Sequence, residues 1–132
     1  MSTDRDFSIR PVFDLIRQLP RCQVSVMGEI DYDASDPALM QRMGENAAQV
    51  MATMHRGTAA IGLLLANAGP EIETHSLSAD VVSDLGFLLT ELADLAVQCD
   101  LIATSCRQAT ADYLPLVLRK GLEPVDGSSP KS

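Results

Sequence analysis

The chain has 132 residues, 46% of them apolar, and a formal net charge of −8, enough for one domain with a modest core. That acidic balance disfavours direct binding to nucleic acid, which needs a basic face to displace counterions from phosphates. Aromatic residues make up only 4% and Trp is absent, so the core has to come from Leu, Val, Ile, Ala and Met, which suits helix packed on helix.

The opening MSTDRDF is acidic and has no apolar run, so it does not read as a secretory signal. "RPVFDLIRQLP", Arg10 to Pro20, predicts a short helix with Pro11 at its first position and Pro20 as its stop. Val12, Phe13, Leu15, Ile16 and Leu19 give that helix an apolar face. In "RCQVSVMGEIDYD", Cys22, Val24 and Val26 alternate with polar residues, as do Ile30 and Tyr32, a strand period interrupted at Gly28. One strand is not stable alone, so this arm is expected either to lie extended over the helices or to pair across a dimer.

"DASDPALMQ" is a helix start: Ser35 or Asp36 can cap and Pro37 suits the first turn. Met40, Met43, Ala47, Val50, Met54, Gly57, Ile61, Leu64 and Ala68 then recur in steps of three and four, widened by Leu39, Met51 and Leu65. This is helix A, expected from Pro37 to Ala68, with Gly69 as C-cap and Pro70 as stop. A loop, "GPEIETHSL", leads to helix B, expected from Ser78 to about Leu114, with Ser76 or Ser78 as cap and Asp80 in the first turn. Pro115 ends or kinks it, further turns reach Gly121, and the Pro/Gly/Ser-rich tail is expected to be disordered. The predicted organisation is an arm over residues 1–36, a helical hairpin over 37–121 and a tail over 122–132.

Two long helices joined by a short loop predict an all-α fold, an antiparallel hairpin. Within helix B, Leu85, Leu92, Cys99, Cys106 and Tyr113 form one column, heptad position a. Val81, Leu88, Leu95, Ile102 and Ala109 form d, and Val82, Leu89, Ala96, Ala103 and Thr110 form e. A two-stranded coiled coil needs only a and d apolar; a third column calls for the wider cover of a three- or four-helix bundle. A homodimeric four-helix bundle supplies it, the alternative being a monomer closed by residues 10–32. Phe87, Val97 and Leu101 add a weak outer stripe. Candidate interface residues are therefore Phe87, Val97, Leu101 and Leu92 on helix B with Val24, Val26, Phe13 and Ile16 in the arm.

Catalytic and metal motifs fail residue by residue. "EIDYDASD" gathers Glu29, Asp31, Asp33 and Asp36, but an EF-hand loop from Asp31 needs Gly at position 36 and Glu at 42, where the chain has Asp36 and Arg42. Neither His55 nor His75 has a His, Cys or carboxylate three or four residues further on, and the Glu-x-x-His pair of di-iron bundles is absent. Cys99 and Cys106 are about 10 Å apart on one helix, too far for a mutual disulfide. With Cys22 the three cysteines read as small core hydrophobes. "GTAAIG" follows no strand, and its glycines are expected to permit close helix approach rather than to hold phosphate. Met40, Met43, Met51 and Met54 cluster on the first half of helix A, as core packing or as an adaptable binding face.

The sequence thus predicts a cytoplasmic protein with no catalytic residues, no cofactor and no metal, since the longest apolar run, Ala59 to Ala66, is too short to span a bilayer. The expected function is a non-catalytic protein–protein interaction module acting as a homodimer and meeting an unidentified protein partner, without contact to nucleic acid or membrane. Two alternatives come from other classes. One is an acidic inhibitor that blocks a nucleic-acid-binding protein through Asp80, Asp84, Glu91, Asp94 and Asp100. The other is a carrier of a small apolar ligand in a bundle cavity.

Overall fold

A computed structural model describes residues 10–113. In chain order they form α1 (Pro11–Gln18), a 3-10 turn (Leu19–Arg21), a looped arm, α2 (Pro37–Ala66), α3 (Gly69–Glu73) and α4 (Ala79–Ala109). Helices hold 74% of these residues, and α2 and α4 pack against each other as the expected all-α hairpin. No helix among the described residues is long and apolar enough to cross a membrane. The expected turns after Pro115 and the tail lie outside the described residues.

Local chemistry sets the element boundaries. Asp36, not Ser35, caps α2, its carboxylate accepting from the Ala38 amide at 3.2 Å. Ser35 is buried instead and stitches the arm, accepting from the Gln23 amide at 3.0 Å and donating to the Asp31 carbonyl at 2.7 Å. α2 closes at Asn67 rather than at Gly69, and Gly69 and Pro70 open α3 inside the expected loop. Pro is well suited to a helix's first turn, where its missing amide has no partner to lose, so the dipeptide that reads as a stop also reads as a start. Ser78 caps α4 through the Val81 amide. α4 ends at Ala109, short of the expected Leu114, where the Thr110 hydroxyl donates to the Cys106 carbonyl at 2.7 Å.

The arm does not lie extended over the helices. It folds back on itself through one antiparallel bridge, Val24 to Ile30. The Ser25 amide donates to the Glu29 carbonyl at 2.7 Å and the Asp31 amide to the Gln23 carbonyl at 2.9 Å. Gly28 makes the reversal, at φ 81°, a conformation other residues resist.

The core lies at the base of the hairpin, where a third layer exists. α1 contributes Leu15 and the arm Cys22, against Leu39, Met40, Met43, Ala47 and Val50 of α2 and Cys99, Ala103 and Cys106 of α4. Two helices alone cover one stripe of each other; α1 and the arm close the remaining side, so Met40 and Met43 are wholly buried. α1 buries less than its apolar face suggests: Leu15 is buried and Leu19 half-buried, but Val12, Phe13 and Ile16 are exposed. From residue 51 to residue 95 no other segment among the described residues adds a third layer, and no side chain there is fully buried.

The seam of α4 is a plus e, not a plus d. Ala96, Cys99, Ala103 and Cys106 are buried, whereas Val81, Leu88 and Leu95 of column d are exposed. The small side chains of column e let the helices approach closely. Gly44 of α2 faces α4, and a Cβ on it would lie 3.0 Å from the Cys106 Cβ. Gly57 and Gly62, expected to serve that purpose, have nothing within 4 Å of such a Cβ. In the outer half of α2 the seam runs through Leu65, half-buried, while Leu64 faces outward.

Candidate functional site

Two surfaces remain unaccounted for by the core: the outer half of the hairpin and the exposed face of α1. The first begins with sequence spacing. Asp80, Asp84, Phe87, Glu91 and Asp94 follow one another in steps of four and three, so they stand on a single ridge of α4. All five are exposed, Phe87 to 71%. The same step carries the ridge through Gln98 to Leu101, also exposed. Asp100 and Val97 are exposed but lie off the ridge by helical spacing. Leu92 is half-buried in the seam, so it contributes to the hairpin itself before any other contact.

Between residues 57 and 95 there are six carboxylates, Glu71 and Glu73 included, and neither Lys nor Arg. Beside this charge lie exposed Leu63 and Leu64 of α2, Ile72 of α3, and Val81, Leu88 and Leu95 of α4. The tip of the hairpin therefore combines apolar surface with undiluted negative charge. Single exposed apolar residues are ordinary; a run of them along both helices over one half of a hairpin is a surface that needs cover.

The second surface is the outer face of α1. Arg10 and Arg17 both stack on the Phe13 ring, with guanidinium carbons 4.7 and 5.5 Å from its centroid. Ile16 and Val12 flank the ring and are exposed, and Arg21 follows in the 3-10 turn. Residues 10–21 carry three Arg and one acid, Asp14. At the end of the arm's hairpin Val26 and Met27 are almost wholly exposed, with Val24 beside them.

The cysteines are core residues. Cys22 Sγ lies 3.2 Å from Met43 Sδ and is also within 3.7 Å of the Gln18 carbonyl oxygen. Burial raises the pKa of all three thiols, and that of Cys106 to about 11, with the neighbouring Cys22 adding to the effect of burial. A thiol so shifted stays protonated at neutral pH, when it is the thiolate that attacks. Burial also raises the pKa of Tyr32, Cys106 adding to the effect and the Ser105 side chain opposing it, so the arm meets α4 here. Sequence reasoning missed that link, since nothing local in either segment announces it.

The acidic turn is used locally. The Asp31 carboxylate accepts from the Ala34 amide at 3.0 Å and Asp36 caps α2. Glu29, Asp31 and Asp33 rim an open recess of about 360 Å³ with Tyr32, Ser105 and Gln108. Among the described residues no three His, Cys, Asp or Glu side chains converge to hold a metal ion. His55 and His75 are both exposed. The methionines are packing: Met40 and Met43 are fully buried, and Met51 and Met54 rest half-buried on the same core. Compared with the models of known families, with curated proteins and with solved structures, the chain matches none.

Proposed function

We propose that this protein is a non-catalytic helical interaction module that acts as a homodimer. The observation that carries the reading is the contrast between the two halves of the hairpin. At the base three layers bury Met40, Met43 and Cys106; at the tip the two long helices have no third layer among the described residues, leaving Leu64, Leu88 and Leu95 exposed beside a half-buried seam. A second hairpin laid against the first completes a four-helix bundle and removes that apolar surface from water. Sedimentation equilibrium of the full chain tests it. The expected mass at micromolar concentration is twice 14.2 kDa, and a monomer persisting to high micromolar concentration refutes it. The double variant Phe87→Ser with Leu101→Ser should remain helical and shift toward the monomer.

A second reading rests on the α4 ridge. Asp80, Asp84, Glu91 and Asp94 present carboxylates along one exposed line with no cation among them, an arrangement able to occupy a basic groove in place of nucleic-acid phosphates. Release of the protein from its captured partner by competing DNA or RNA would favour this inhibitor reading. Capture that is indifferent to nucleic acid would favour the interaction module.

A further inference from the structure

The two exposed surfaces are matched in chemistry and separated in space. The α1 ridge is aromatic and basic: Phe13 between Arg10 and Arg17, then Arg21. The α4 ridge is aromatic and acidic: Phe87 among Asp80, Asp84, Glu91 and Asp94. They do not meet within one chain. α1 and the arm are fastened to α2 at Asn46, whose amide donates to Gln18 Oε1 at 2.9 Å, and at Met43, and this level of α2 faces Cys106 through Gly44. Phe87 lies nineteen residues before Cys106 on the same helix, about 28 Å away along the axis.

We infer that the α4 ridge receives the α1 ridge of a second copy, so that two hairpins assemble antiparallel, base against tip. The inference rests on the homodimer reading and fixes its orientation. Electrostatics decide between the two ways of stacking the hairpins. A parallel pair sets tip beside tip and brings together two segments that each carry six carboxylates and no Lys or Arg, a juxtaposition of like charge with no counterion of its own. An antiparallel pair sets each acidic tip beside the other chain's residues 10–21, with three Arg against one Asp. It also places Phe13 and Ile16 over the apolar surface around Phe87 and Leu88, which α1 of the same chain cannot reach. The contact occurs twice about a two-fold axis, so the assembly closes as a dimer rather than growing into a filament.

Charge reversal on the full chain tests the pairing. Arg17→Glu with Arg21→Glu makes the α1 ridge acidic; Asp84→Arg, Glu91→Arg and Asp94→Arg together leave three Arg beside Asp80 and make the α4 ridge basic. All five positions are exposed, and a far-ultraviolet spectrum checks that each variant stays helical. The neutral variant Arg17→Gln with Arg21→Gln, which keeps chain length and helix preference, should fall between wild type and the reversal. Each reversed variant alone should weaken dimerisation roughly tenfold or more, because both contacts then oppose like charges. Mixed together, the two variants restore both contacts as a heterodimer, and the mass of a dimer should return at the wild-type concentration. If either reversed variant dimerises as tightly as wild type, or if the mixture fails to recover, the base-to-tip pairing is overturned while the homodimer reading stands. If wild type is itself monomeric at high micromolar concentration, both fall.

Discussion

A single methyl group at residue 44 tests the packing of the hairpin. Gly44 lies inside α2, where replacing Gly by Ala ordinarily stabilises a helix by about 1 kcal/mol. Here the added Cβ meets the Cys106 Cβ at 3.0 Å and stands 3.9 Å from the Ala103 carbonyl oxygen. Ordinary carbon contacts fall at about 3.5–4.0 Å, so the helices must part by roughly half an ångström or more. The obstructing atom is a Cβ fixed by its own backbone, and the neighbouring Met43, Ala47 and Ala103 are fully packed, so little can yield. Overpacking of this kind costs about 1–3 kcal/mol, which cancels or exceeds the helix gain. Gly57→Ala and Gly62→Ala meet nothing within 4 Å and keep the gain, about 0.5–1 kcal/mol each. Urea unfolding followed by circular dichroism should therefore place the midpoint of Gly44→Ala at or below wild type and those of the other two above it. A Gly44→Ala midpoint raised as far as that of Gly57→Ala would refute the close approach of α2 and α4.

Other perturbations have equally definite outcomes. The pKa of Cys106 is held near 11 against 9.0 for a free thiol. The stability associated with its buried neutral thiol is thus fully present below pH 9 and is lost as pH rises through about 11, an alkaline loss that Cys106→Ala should reduce in equilibrium unfolding. His75 holds φ 59° just after α3, so His75→Gly should be neutral or stabilising and His75→Val should cost about 1 kcal/mol or more in the same assay. Met43→Ala removes a wholly buried side chain from the base and should cost about 2–5 kcal/mol at any protein concentration. Leu92→Asp puts a carboxylate into the half-buried seam near the tip; its cost should grow with protein concentration if a second copy covers that region, and thermal melts across a dilution series read the difference.

The periodicity of residues 37–109 determined, without any tertiary information, that the chain makes two long helices and that a short connection turns one back on the other. It also placed Asp80, Asp84, Glu91 and Asp94 at spacings that share a ridge. Those features are local: a helix's face follows from its 3.6-residue repeat wherever the helix sits. Tertiary structure decided which apolar column of α4 became the seam. Columns a, d and e are all apolar or nearly so, and periodicity ranks none of them. The choice fell on a and e because Ala96 and Ala103 are small and Gly44 stands opposite, so close packing is reached there and the larger Leu88 and Leu95 are left on the flank. The same limit explains the glycines: Gly44 and Gly57 are equivalent as letters in a helical run, and only the presence of α4 against the first gives it a role. The arm's alternation suggests a strand, but no strand forms among the described residues: Val24 makes one isolated bridge to Ile30, six residues on, through the left-handed Gly28, a pairing that alternation alone does not reveal. Nor could the repeat show where α1 stops covering α2. That end point depends on contacts between segments distant in the chain, Gln18 with Asn46 and Cys22 with Met43, and beyond it the hairpin's apolar surface lies open.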